Sequence, residues 1–337
     1  MSAPARRWTP SPVVWPVVAL AALLLYNLLF TPNFFDVDIR DGRLYGSLVD
    51  VVKNSVPVMI VAIGMTLVIA TGGIDISVGA VAAIAGAVAG VLIVTHQAPL
   101  WIVLVLPLAA ALVCGAFNAG LVTALAIQPI IATLILMVAG RGVARLIVGG
   151  SALRFPGKMP SFAYLGSGYF LGLPVRVYVA AGLLVLVLLA LRLTPLRLYI
   201  QAIGGNAKAS RYAGVGVQAV KAVVYVFSGL CAGIAGVILT ANIQGADAGT
   251  VGINIELDAI LAVVIGGTSM NGGRFRLGGS VLGAILIQTM TTTILTKGVP
   301  VQYTQLVKAL VVVAVILLQS PEFRRQLGGL VPGRAAP

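Results

Sequence analysis

The sequence predicts an all-α membrane protein that crosses the bilayer about ten times, with both termini cytoplasmic. Three observations lead there. Of 337 residues, 59% are hydrophobic and only 9% charged, against about 25% charged in an ordinary soluble domain. Mean hydropathy is +1.07. The apolar residues form long unbroken runs, not the alternating segments of about ten residues that mark a transmembrane β-barrel. This composition excludes a soluble globular protein, a disordered chain and a disulfide scaffold.

Taken in order, the elements read as follows. Arg6 and Arg7 precede an apolar run over 13–30, in the manner of a signal peptide. Phe30-Thr31-Pro32-Asn33 has no small-x-small cleavage signature, and the run is long for a signal, so it reads as a retained first helix. Pro, Gly and charge then punctuate runs at 55–71, 77–95, 99–126, 129–148, 174–191, 218–241, 255–267, 279–296 and 302–319. One transmembrane domain over 13–320 thus lies between cytoplasmic tails at 1–12 and 321–337. Only Gly72-Gly73-Ile74-Asp75-Ile76 separates the second and third runs, which predicts a tight break inside the membrane. The run at 255–267 is short and opens with Glu256 and Asp258, in the manner of a half-helix. The count falls to eight if two short runs are re-entrant.

Charge orients the chain. Twelve of the 22 Lys and Arg fall on segments that would be inside, and seven on outside segments (Arg40, Arg43, Lys53, Arg154, Lys158, Arg176 and Lys297). Arg141, Arg145 and Lys308 lie within spans. This bias follows the positive-inside rule. The net charge of +13 is thereby assigned to orientation and to anionic headgroups, not to nucleic acid. No P-loop and no G-x-S-x-G occurs, so the chain carries no ATPase site of its own and no hydrolase motif. Cys114 and Cys231 read as small buried hydrophobes, and the single His96 makes no metal site.

The longest inside connection is the loop 192–217, which leads to Lys221. Within it Asn206 suits an N-cap and Gly214 a C′ position, leaving room for two helical turns. Ala209 and Ala213 would share one face, and Lys208 and Arg211 would sit near each other on another. Such a helix can press closely on a partner, or it can be a solvated connector.

Within the spans, polar groups stand out. Asp75 before Ser77 reads first as a cap closing the break and second as a substrate contact. Arg141 falls near mid-depth, where a charge must pair or face a polar interior. Its candidate partners are Asp247, Glu256 and Asp258, and its neighbour Arg145 reads as snorkelling to headgroups. Asn118, Gln128, Thr133 and Asn242 suit either a polyol pathway or interhelical hydrogen bonds.

Four stretches carry a family resemblance. They are Gly204 to Val215; Ala62 to Gly79, reading AIGMTLVIATGGIDISVG; Ala132-Thr133-Leu134 with Arg141-Gly142; and Leu257 to Thr268, reading LDAILAVVIGGT. Together they resemble the permeases of ATP-binding-cassette (ABC) importers of the ribose, galactose and galactofuranose branch. The likeness runs over roughly 50 to 320. Gln244 to Ala248 and Gly272-Gly273-Arg274-Phe275 look most like the galactofuranose permeases. Two positions depart: Ala207 stands where many relatives have an acidic residue, and Phe275 where many have Gly.

The resemblance implies a permease subunit, not an enzyme. It would pair with a second permease and hold an ATPase through Gly205, Asn206, Lys208, Ala209, Arg211, Ala213 and Gly214. An extracytoplasmic sugar-binding protein would deliver a monosaccharide, galactofuranose first and ribose next. ATP and Mg would sit on the ATPase, with no cofactor in this chain, and the site would be the bacterial inner membrane. The alternative is an ion-coupled secondary transporter. Only Asp75, Glu256 and Asp258 approach the mid-span carboxylates that class uses.

Overall fold

The computed structural model describes residues 14–40 and 42–319. Its helices are α1 (Val14–Phe30), α2 (Ser47–Ala70), α3 (Val78–Val94), α4 (Leu100–Thr123), α5 (Pro129–Ile147), α6 (Pro160–Ser167), α7 (Val175–Leu193), α8 (Leu196–Gly205), α9 (Ala207–Tyr212), α10 (Val217–Ile243), α11 (Ile255–Ile265), α12 (Leu277–Thr296) and α13 (Val301–Gln319). Three short antiparallel ribbons accompany them: β1 (Asp38–Arg40) with β2 (Arg43–Tyr45), β3 (Leu153–Arg154) with β6 (Gly245–Ala246), and β4 (Tyr169–Phe170) with β5 (Leu173–Pro174).

Among the described residues, α2, α4, α5, α7, α10 and α12 are long and apolar enough to cross a membrane, and α1 and α3 are apolar helices of 17 residues. At 1.5 Å per residue, 17 residues reach roughly 26 Å, close to the hydrocarbon thickness of about 30 Å. The chain is therefore an all-α, multi-pass membrane protein. The predicted tails at 1–12 and 321–337 lie outside the described residues.

The helices are unequal in depth. Of the apolar window of α2, 83% is buried, against 22% for α4 and α7. α10 packs along α4, α2 and α3, while α12 covers α2 from another side. Small residues allow this closeness, as expected where lipid gives helices no hydrophobic reason to associate. A Cβ on Gly236 of α10 would lie 2.2 Å from the Ala82 carbonyl of α3, and one on Gly283 of α12 would lie 2.1 Å from the Ala262 carbonyl of α11.

The run at 255–267 is the half-helix its shortness suggested: α11 has 11 residues, about 16 Å of helix. Two expectations change. Helix α2 starts at Ser47, eight residues earlier than the apolar run, with Asp50 and Lys53 ion-paired at 3.0 Å on its first turns. The 192–217 connection holds two helices, α8 and α9, where one was expected. At the α8–α9 end, the close of α2 at Ala70 to Gly72 and the turn of 266–276 also meet. The opposite end carries α6 and the β1–β2 and β4–β5 ribbons, joined where Leu44 N–H donates to the Gly172 carbonyl.

Candidate functional site

Two interruptions of regular structure lie inside the bundle. The first is the α2–α3 break. Helix α2 ends where Gly72 takes φ +79° and the chain folds back. Asp75 is 1% exposed, so its carboxylate needs donors. Its Oδ1 accepts from Ser77 N–H at 3.1 Å, Ser77 Oγ at 2.6 Å and Asn118 Nδ2 at 3.5 Å, and its Oδ2 accepts from Ser228 Oγ at 2.8 Å. Asn118 Nδ2 also donates to Ser77 Oγ at 2.8 Å. Thr133 binds the same break from α5, donating to Ile74 O and accepting from Ile76 N–H, both at 3.3 Å. Asp75, Asn118 and Thr133, predicted separately, thus form one knot joining α3, α4, α5 and α10. Ser77 holds the N-cap position, and Asp75 closes the turn two residues earlier.

The second interruption is the segment 244–254, which enters beside the far end of α3 and descends to its start. Ala246 packs on Gly90, and Gly252 lies against the Gly79 carbonyl. Non-helical backbone at this depth must find partners within the protein. Arg141 supplies them: Nη1 donates to Ala248 O at 3.1 Å and Val251 O at 2.7 Å, and Nη2 to Gly252 O at 2.7 Å. An intramembrane guanidinium is thereby satisfied by carbonyls, not by a carboxylate. Asp247 accepts from Gly249 N–H at 2.8 Å and Thr250 Oγ1 at 3.0 Å, closing its own turn. Asp258 faces Lys308 of α13 at 3.0 Å. The expectation that Asp247 or Asp258 neutralises Arg141 is therefore corrected, since each is taken by a nearer donor. Glu256 stands close to Arg141 without bonding it, and its Oε2 has no hydrogen-bond partner.

Gln128 is exposed at the N-cap of α5 and makes no cap bond, so it joins neither group. Arg176, counted above among outside charges, is 2% exposed and donates to Asn242 Oδ1 at 2.9 Å. Its position at the edge of an apolar run hid this, because the partner Asn242 lies 66 residues away at the end of α10. Ser228 gave no signal in the sequence, and Lys308 was seen only as a charge within a span, since a hydroxyl or a lone Lys in an apolar helix shows its partner only in space.

At the α8–α9 end stands the capped helix. Asn206 Oδ1 accepts from Ala209 N–H at 3.0 Å. Gly214 takes φ +82°, with Val215 N–H donating to Ser210 O and Gly214 N–H to Arg211 O. These are the two bonds of a Schellman motif. Gly205, Lys208, Ala209, Arg211 and Ala213 are all exposed, and Tyr212, not singled out in the sequence, is 91% exposed. Beside them Ala126 of the α4–α5 turn, Lys221 of α10 and the α9 cations line a cleft of about 470 Å³.

Just before α9, Gly204 meets the end of α2: a Cβ there would lie 2.0 Å from Ala70 O and 2.2 Å from Gly273 N. Gly273 N–H in turn donates to Ala70 O at 2.9 Å. The end of α8, which leads directly into the exposed helix, thus packs closely on the backbone at the end of α2.

A family described as branched-chain amino acid transport system / permease component matches residues 47–316. The chain belongs to this family. It is 49% identical over 321 residues to the galactofuranose transporter permease protein YtfT of Escherichia coli K12, covering 94% of this chain and 93% of the relative. It is 37% identical to the fructose import permease protein FruF of Bifidobacterium longum, over 98% of this chain and 94% of the relative. With the ribose import permease protein RbsC of Escherichia coli K12 it shares 35% identity, over 90% and 92%. The resemblance read from the sequence is therefore shown. No solved structure matches. The permease is thus a subunit for transport, and its fold shows two built interior breaks and one exposed, doubly capped helix.

Proposed function

We propose that this permease forms the membrane pathway of an ATP-driven monosaccharide importer, with galactofuranose as first cargo and ribose next. It would sit in the bacterial inner membrane with both termini cytoplasmic, as one domain over 13–320. It would pair with a second permease, bind an ABC ATPase at its α8–α9 end and receive sugar from an extracytoplasmic binding protein. ATP and Mg belong to the ATPase in this reading, and this chain carries no cofactor.

The observation that carries the reading is the α9 helix. It is capped at both ends without outside help, yet its small-residue and cationic faces stay uncovered. The contact of Gly204 with Ala70 and Gly273 gives a docked ATPase a rigid route into α2 and the break beyond it. Among the described residues, the polar groups of the α2–α3 break are hydroxyls, an amide and one carboxylate already held by donors, which gives an ion-coupled cycle no support at that break.

Reversing charge at Lys208 and Arg211, or placing Trp at Ala209, is expected to uncouple ATP hydrolysis from sugar uptake while leaving the thermal midpoint of the complex unchanged. Full uptake and full transport-stimulated ATPase in those variants would sink the coupling role. Affinity purification from the native membrane is expected to bring down an ATPase with a Walker motif. A chain that purifies alone and moves solute without ATP would favour an ion-coupled transporter.

A further inference from the structure

The α10–α11 break contains two opposite charges that are neighbours and do not pair. Arg141 spends its guanidinium on the carbonyls of Ala248, Val251 and Gly252. Glu256, 7% exposed at the start of α11, has an Oε2 that meets no donor. Gly79 and the Gly252 carbonyl lie beside both. The point where a Cβ on Gly79 would lie is 2.2 Å from Glu256 Oε2 and 3.1 Å from Arg141 Nη2.

We infer that Glu256 is the positioning residue to which Arg141 transfers during transport, and that this transfer releases the 248–252 segment. This rests on the permease being a transporter with two access states. A buried carboxylate oxygen without a donor, as Oε2 of Glu256 is, costs stability in the conformation that holds it so. A charge-assisted Arg–carboxylate pair is about twice as strong as a neutral hydrogen bond. Arg141 therefore has two alternatives, three carbonyls or one carboxylate, and its long side chain spans both. One side chain facing two acceptor sets, each satisfied at the other's expense, makes a bistable element.

The surrounding charges leave this exchange open. Asp258 is held by Lys308, Asp247 by its own turn, and Arg145 is exposed. The absence of a side chain at Gly79 leaves the gap free, since a methyl there would overlap Oε2 and the Gly252 carbonyl at 2.5 Å. Release would free the carbonyls of the segment that lines α3 from Gly90 to Gly79, opening the bundle along that helix.

The test uses the full chain with its native partners in vesicles, in a Cys114→Ala, Cys231→Ala background. A single thiol is introduced by Ala248→Cys, a position on the segment that is 3% exposed, so that labelling requires the segment to leave α3. Its labelling rate is read without ATP, so that it reports the exchange whether or not ATP drives import. Arg141→Gln is expected to speed labelling, and Glu256→Gln to slow it about fivefold, because the released state has lost its counter-charge. Uptake should fall at least about tenfold in each single variant and no further in the double. The thermal midpoint of Glu256→Gln should stay level or rise, since Oε2 lacked a donor in the resting state. Unchanged labelling in Glu256→Gln, or a midpoint that falls in step with uptake, would overturn the exchange. Absence of ATP-dependent sugar uptake in the unaltered transporter would count against the importer reading alone.

Discussion

The two interior breaks solve the same problem in opposite ways. At the α2–α3 break the carboxylate of Asp75 is saturated by one backbone N–H, two hydroxyls and an amide drawn from three elements. At the α10–α11 break the charge belongs to Arg141, the partners are main-chain carbonyls, and the nearby Glu256 is left over. Short side chains fixed on helices have one arrangement, so the first break is a fastener. A long side chain facing two acceptor sets has more than one, so the second is built to change. Lipid offers neither break any water, so each must settle its polar groups within the protein.

The largest effect is expected at the fastener. Asp75→Ala leaves the donors of Ser77 and Ser228 without an acceptor, which costs about 3 kcal/mol or more. A sharp loss of monodisperse protein in detergent and a lowered thermal midpoint would register this. Asp75→Asn keeps an acceptor and should fall between. If Asp75→Ala folds normally yet transports no sugar, the break is a substrate contact and the contrast fails.

A smaller effect is expected at the second break. Arg141→Leu strips three carbonyls of their donor, whereas Arg145 is exposed one turn away. Uptake should therefore drop about tenfold or more for Arg141→Leu and stay within about twofold for Arg145→Leu. Equal, mild effects would mean that both arginines merely reach for headgroups. The smallest effect belongs to Gln128, which touches neither break. Gln128→Ala should alter midpoint and uptake little, within about 0.5 kcal/mol for stability. A strong defect there would place the pathway along the exposed edge of α5 instead of at the breaks.

Much of this was legible in the linear chain, for identifiable reasons. Gly72-Gly73 between two apolar runs marks a break, because glycine alone adopts the positive φ at position 72 without cost. Asn206 and Gly214 announce a short helix, because cap chemistry is local and needs no tertiary partner. The shortness of the 255–267 run already pointed to a half-helix, and α11 is one. Partner choice was not legible. Asp247, Glu256 and Asp258 all suited Arg141 by charge, and the structure gives it none of them as a bonded partner. Lys308, fifty positions beyond Asp258, decided one of the three.

The chain's apolar runs, its punctuation and its caps were enough to require a helical membrane protein with an interior break and an exposed capped helix, since hydropathy and local backbone preference act over a few residues. Which helices lie at the centre, which polar groups meet, and which carboxylate stays unpaired came from packing. In lipid every apolar face is equally acceptable to its surroundings, so periodicity says little about depth. Close approach between small residues of α2, α3, α10 and α12, distant in the chain, is what sorts the inside from the outside.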